Sequence, residues 1–190
     1  PIGQLDDLTG PSAYSGEHGV NGVKIAIKEI NDAGGVLGRP LQLFVEDDVS
    51  KPELSVSAFT KLVTANKIVA CLGTQSSTAT IAMMEVAERE KIPLVNGEGG
   101  ATKMTEQGKN YLFRVIPHHM MAVKAYAVLM KEYVKPKNMA LLLSNDETGK
   151  SLEAAFKLHL PDLPIVALEW YVRGAVDFYA QLAKIKAAKP

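Results

Sequence analysis

The sequence has one cysteine, no excess of either charge and no long apolar run, and each of these absences closes off a class of function. Cys71 cannot form an internal disulfide, and it has no Cys or His neighbours at metal-ligand spacing. Within the apolar run Ile68-Val69-Ala70-Cys71-Leu72 it reads as a buried strand thiol. The 21 Lys and Arg residues balance the 21 Asp and Glu residues, for a formal net charge of +0. A protein that neutralises phosphates needs a basic excess or a basic face, so nucleic acid is not an expected partner. No stretch approaches the roughly 20 apolar residues of a membrane-spanning helix. The residues Pro1-Ile2-Gly3-Gln4-Leu5 carry no signal-peptide pattern and read as the middle of a strand, which is compatible with a removed targeting segment.

Catalytic and cofactor signatures are also missing. His18, His118, His119 and His159 have no metal-binding spacing, and adjacent histidines on a helix point in different directions. There is no Gly-x-Ser-x-Gly elbow. The run Gly97-Glu98-Gly99 lacks the third glycine of a dinucleotide fingerprint. The expectation is therefore no catalytic residue, no metal and no cofactor.

What is present is a core-forming composition, 47% hydrophobic, arranged as strands alternating with helices. The first strand is expected over residues 2–8. A helix follows over 17–33, with Val20, Val23, Ile27 and Ile30 at helical spacing on one face. Gly34-Gly35 ends it, because glycine tolerates the left-handed conformation that helix stops favour. Leu41, Leu43 and Val45 alternate as the next strand. Ser50-Lys51-Pro52-Glu53 reads as a capping box that opens a helix carrying Val56, Phe59, Leu62 and Val63. Further strands are expected at 68–72, 92–95 and 111–116, with a helix over 78–90. A composition shift at Pro117 marks the expected lobe boundary, giving a first lobe over 1–117 and the beginning of a second over 118–190. Helices are expected there at 120–134, 149–160 and 176–187, and strands at 139–143 and 165–170. This alternation predicts an α/β protein with doubly wound parallel sheets covered on both faces. Ligands of such sheets bind beyond the carboxyl ends of the strands, which points to the loops after Leu8, Leu72, Val95 and Leu143.

Three of these loops carry candidate chemistry. In Gly73-Thr74-Gln75-Ser76-Ser77-Thr78, hydroxyls at a helix start can receive a carboxylate, while one of them also serves as a simple cap. Around Glu98, the residues Gly99, Gly100 and Ala101 permit close backbone approach, and Glu98 can pair with a ligand ammonium or stay solvated. The run from Ser144 to Ser151 ends in the Gly-Lys-Ser of a phosphate-binding loop. Ser144 replaces its first glycine, however, and Asp146 and Glu147 would repel a phosphate, so a plain helix start is the better reading. Asp6-Asp7 and Asp47-Asp48 end strands, where a cation site and ordinary hydrogen-bonded carboxylates are both open readings.

Several segments, taken in order, resemble the leucine/isoleucine/valine-type periplasmic solute-binding proteins of ABC transporters. They are Leu8-Thr9-Gly10-Pro11 with Gly19 and Gly22, then the run from Glu29 to Pro40 (EINDAGGVLGRP), then Asp47-Asp48 with Lys51-Pro52. Gly73 with Ser76-Ser77, Ile92-Pro93, Thr105-Glu106-Gln107-Gly108 and Phe113-Arg114 complete the series. The resemblance implies a type I periplasmic-binding fold that closes on a small molecule held between two lobes and delivers it to a membrane ABC permease. It implies a periplasmic or extracellular location and a monomer. It also implies that this chain is the N-terminal part of a longer receptor, with the rest of the second lobe beyond Pro190. By the same resemblance Ser76 or Ser77 takes the ligand carboxylate with help from helix amides, Gln75 is a ligand-binding residue of the same loop, and backbone groups near Gly99, Gly100 and Ala101 add contacts beside Glu98. Tyr14 and Ser15 fall in a first loop that covers the ligand, and Thr148 stands where the family often has an aromatic residue. Glu98-Gly99-Gly100 departs from the family's usual Ser-Ala-Thr, which detaches the ligand from leucine, isoleucine or valine in particular. A ligand-sensing domain of the same fold is the alternative, and a phosphate-loop nucleotide enzyme is the alternative of another class.

Overall fold

The computed structural model describes residues 1–190. It divides into two compact units, residues 1–99 with 104–116 and residues 100–103 with 117–190.

The first unit holds β1 (Ile2–Asp6), α1 (Ala13–Asp32), β2 (Leu43–Asp47), α2 (Pro52–Thr64), β3 (Cys71–Leu72), α3 (Ser77–Glu90), β4 (Leu94–Asn96) and β5 (Leu112–Arg114). Every pairing is parallel, in the order β2-β1-β3-β4-β5. The α/β expectation is therefore met. The order reverses at β1, which lies between β2 and β3, and such a switch point opens a crevice at the carboxyl ends of the strands. The register pairs Asp6 with Asp47 and Gln4 with Leu72. The core contains Leu5, Phe59, Leu62, Cys71, Met83 and Leu94, all fully buried. Burial drives the Cys71 thiol well above its usual range, as expected of an inert thiol.

Several boundaries differ from the sequence reading. Helix α1 begins four residues early, at Ala13, because the Ser12 carbonyl accepts the amides of Ser15 and Gly16. Of its expected apolar face only Val20 is buried, while Val23 and Ile27 are half-buried and Ile30 is exposed. The strand at 68–72 shrinks to two residues, yet its ladder is longer. The Val69 amide donates to Pro1 O (3.0 Å) and the Gly73 amide to Val95 O (3.1 Å).

The expected capping box does not form. Lys51 is the N-cap of α2 and makes no side-chain cap bond, although Pro52 does open the helix. Ser50 is diverted because its hydroxyl donates to Asp7 Oδ2 and its amide to Asp48 Oδ1 (3.0 Å). Asp48 fixes the helix start instead, since it also accepts the Ser55 hydroxyl (2.8 Å).

The second unit holds α4 (His119–Leu129), a π-helical turn (Met130–Val134), β6 (Met139–Ser144), α5 (Glu147–His159), β7 (Ile165–Tyr171) and α6 (Tyr179–Ala188). Strands β6 and β7 pair in parallel, with Leu141 opposite Leu168. Residues 100–103 pack with this unit: His119 N donates to Gly100 O (2.8 Å) and Thr102 N to Ser151 Oγ (3.0 Å). No helix of the chain is long and apolar enough to cross a membrane.

Candidate functional site

The loop after β3 can exist only because residue 73 is glycine. Its φ is +101°, and a Cβ there would stand 1.8 Å from the Leu5 carbonyl oxygen of β1. The chain then turns through Thr74 and Gln75 to Ser76, whose extended backbone suits an N-cap and whose hydroxyl accepts the Ala79 amide (3.3 Å). Of the hydroxyls weighed from the sequence, Ser76 is thus the one that caps α3. A hydroxyl that accepts a bond still has its own proton to donate, so capping leaves Ser76 able to bind an anion at the positive end of the helix. Thr74 Oγ1 and Gln75 Oε1 lie beside it, buried and without a hydrogen-bond partner.

Asn96, fully buried at the end of β4, ties this loop to the next. Its Nδ2 donates to Thr74 O (2.7 Å) and Thr80 Oγ1 (3.0 Å), and its Oδ1 accepts the amides of Gly99 (2.7 Å) and Glu98 (3.1 Å). The loop that leads through Thr74 to Ser76 and the loop that carries Glu98 and Gly99 are thereby tied together at the carboxyl ends of β3 and β4. Asn96 was not among the site residues picked from the sequence. The only local signal was an asparagine ahead of a glycine at a strand end, which ordinarily means a turn.

The other expected residues are placed differently. Tyr14 and Ser15 lie in the first turn of α1 and not in a loop. Tyr14 is 79% exposed and stacks on His18, with ring centroids 4.3 Å apart. Gly100 and Ala101 belong to the second unit, where the Thr102–Ser151 bond and the Lys103–Glu147 ion pair (3.7 Å) join their segment to the first turns of α5, which carry Thr148.

The run 144–151 is a capped helix start. Asp146 accepts the Gly149 amide (3.0 Å) and the Ser144 hydroxyl (2.7 Å), and it pairs with Arg173 (2.9 Å). These bonds hold its carboxyl below the usual carboxylate range despite burial. Lys150 lies 3.5 Å from Glu147. A phosphate would find the Gly149 amide taken and two carboxylates in its way.

The aspartate pairs separate by strand alternation, which turns neighbouring side chains to opposite faces. Asp7 meets Ser50 and the Asp48 carboxyl; burial and then the Asp48 contact raise it to about 6. Asp47 accepts from Leu8 N (2.9 Å) and the Thr9 hydroxyl (2.6 Å) and lies below its ordinary value, because these bonds outweigh its partial burial. Neither pair acts together on one cation, and no group of three or more acidic, histidine or cysteine side chains is placed to hold a metal.

Asp6 faces a cavity of about 150 Å³ lined by Gln4, Gly19, Val23, Leu72, Val95, Glu98 and Val115 among others. Burial, and then the Glu98 charge, push its carboxyl up to about 7; burial chiefly also raises Glu98. A carboxyl raised from the unfolded value of 3.8 binds its proton more tightly in the fold. Its contribution is fully present below about pH 4 and is lost as pH climbs through about 7. Asp6→Asn, which keeps the shape without the charge, is expected to stabilise the protein at pH 8 by on the order of 2 kcal/mol and to change little at pH 4. Urea unfolding at the two pH values measures this, and equal effects at both would contradict the assignment.

The comparisons with known proteins bear on the family and the fold. The family model described as periplasmic binding protein matches residues 1–190. An amino acid binding protein of Pseudomonas aeruginosa is 29% identical over 189 residues, covering 98% of this chain and 50% of that protein. A Leu/Ile/Val-binding protein of Rhizobium johnstonii is 30% identical, covering 99% of this chain and 52% of its own length. The chain therefore spans about half the length of the relatives it matches. Among solved structures, the branched-chain amino acid transporter substrate-binding protein LivJ of Streptococcus pneumoniae, in complex with isoleucine, superposes with a TM-score of 0.89 at 30% identity. That match covers 97% of this chain and 53% of LivJ. A solute-binding protein of Rhodopseudomonas palustris, in complex with 3,4-dihydroxybenzoic acid, has a TM-score of 0.89 at 23% identity, covers 100% of this chain and 52% of that one, and shares the fold alone. With the type I fold and a family match along its whole length in agreement, this chain belongs to the periplasmic binding protein family.

Proposed function

We propose that the chain is part of a solute receptor that binds a small carboxylate-bearing molecule, an amino acid or related organic acid, and catalyses no reaction. The observation that carries this reading is the Ser76-capped N-terminus of α3, held at the carboxyl ends of β3 and β4 by Asn96. A helix start with a spare hydroxyl proton and buried polar neighbours suits a carboxylate. Isoleucine and 3,4-dihydroxybenzoic acid, the ligands of two structural neighbours, both carry that group. In this reading Gln75, Ser76 and Ser77 hold the carboxylate, and Glu98 and Gly99 line the same position. Tyr14, Ser15, Gly100, Ala101 and Thr148 make further contacts. The whole protein acts as a monomer, without a cofactor, in the periplasm or outside the cell, and hands its solute to an ABC-type membrane permease. The names of the relatives favour this over the ligand-sensing alternative.

Ser76→Ala is expected to weaken carboxylate binding roughly tenfold or more by losing one hydrogen bond to a charged group. Ser76→Thr, which keeps the hydroxyl, is expected to retain most of the affinity. Isothermal titration of the two variants decides: unchanged affinity in Ser76→Ala removes Ser76 from the site.

A further inference from the structure

We propose that the cavity bounded by Gln4, Asp6, Gly19 and Glu98 is a binding site for a small primary alkylammonium ion. The proposal does not rest on the carboxylate reading: none of Gln75, Ser76 and Ser77 lines this space, and Glu98 is the one residue named for both. Residue 19 being glycine leaves the site open: a Cβ there would stand 2.7 Å from Asp6 Oδ2 and 2.8 Å from Glu98 Oε1, so both oxygens converge on one point. Neither carboxylate has an ion-pair partner. Two carboxylates turned toward each other in a half-dry cavity are costly unless a proton or a cation lies between them.

The third observation comes from the amide. Gln4 is 2% exposed, its Nε2 donates to Asp6 Oδ2 (3.3 Å), and its Oε1 is buried with no partner. Gln4 Oε1, Asp6 Oδ2 and Glu98 Oε1 thus offer three acceptors, the number that match the three N–H donors of a primary ammonium.

The rest of the lining selects among cations. The side chains of Val23, Leu72, Val95 and Val115 supply no oxygens, and Gly73 and Gly97 have no side chain to add one. A hard metal ion wants about six or more oxygen ligands and would find half of them, whereas apolar walls suit the carbons of an alkylamine. Without the ion, the raised Asp6 carboxyl means that a proton takes its place; with it, both carboxylates are charged. Binding therefore strengthens as pH rises through about 7 and levels off above it.

The test is the melting temperature of the chain at pH 8 with methylammonium chloride at tens of millimolar, against tetramethylammonium chloride at the same ionic strength. The quaternary ion has the charge but no N–H group. Methylammonium is expected to raise the melting temperature and tetramethylammonium to leave it unchanged. Glu98→Gln, at a half-buried position that tolerates an isostere, is expected to weaken the methylammonium response at least tenfold in concentration. Asp6→Asn is expected to do the same even though it is more stable to begin with. Equal responses to the two salts, no response to methylammonium, or a response that survives both substitutions would each overturn the assignment.

Discussion

Gly73→Ala is expected to prevent the first unit from folding stably. The alanine methyl would have to occupy the place of the Leu5 carbonyl oxygen, 1.8 Å away, at a φ of +101° that side-chain-bearing residues rarely adopt. The obstacle is backbone of the neighbouring strand β1 and not a side chain that could swing aside. Relief requires the end of β3 to move off β1, which disturbs the Gln4–Leu72 pairing and shifts the loop that carries Ser76. A loss greater than about 4 kcal/mol is expected, at the severe end of single substitutions. Urea unfolding followed by circular dichroism measures it, and a variant within about 1 kcal/mol of the parent would show that the β1–β3 approach is looser than described.

Asn96→Ala comes next. It removes one side chain that serves five polar groups, leaving Gly73 O, Thr74 O, Thr80 Oγ1 and the amides of Glu98 and Gly99 without this partner. Each buried group left unpaired costs about 1–3 kcal/mol, and those near solvent will recover part of it, so a net loss of roughly 3–5 kcal/mol is expected. The loss also has a local signature. The Gly99 amide, now held at 2.7 Å, should exchange with solvent much faster than amides in the α2–α3 core. Asn96→Asp should fall between the two, because it keeps the acceptor for both amides but places an anion against the Thr74 carbonyl. If Asn96→Ala were harmless, the two loops would not be held together by this residue.

The parts of the fold legible in the sequence are those whose causes are local. Apolar runs, the glycine pair at 34–35 and Pro52 each act within a few residues, and they placed every strand and α-helix in the correct order, with shifts of a few residues at the ends, while the short 3-10 turn Thr102–Thr105 went unread. The errors arise where a distant residue decides. Ser50 has the right spacing for a capping box, but its hydroxyl is claimed by Asp7, 43 positions away. Tyr14 and Ser15 follow Gly10-Pro11-Ser12, which reads as a loop, yet helix α1 has already begun. The serine loop was legible as a helix start, and hence as a candidate anion site; its dependence on Asn96 was not, since Asn96 and Thr74 are 22 positions apart. Asp6-Asp7 drew attention as a pair of neighbours. The chemistry lies instead in the separation of that pair by the pleat, which sends Asp6 toward Glu98 and Asp7 toward Asp48.

The central claim is that this chain serves a receptor for a small carboxylate-bearing solute. Its most direct test is thermal unfolding of the intact protein against a panel of amino acids, aliphatic and aromatic carboxylates, and ATP with magnesium. A ligand at a hundred times its dissociation constant adds about 2.7 kcal/mol of stability, well within what a melting scan resolves. The account predicts a rise with one class of carboxylate, lost in Ser76→Ala, and none with ATP. A rise with ATP alone, or with ligands that lack a carboxylate, would contradict it.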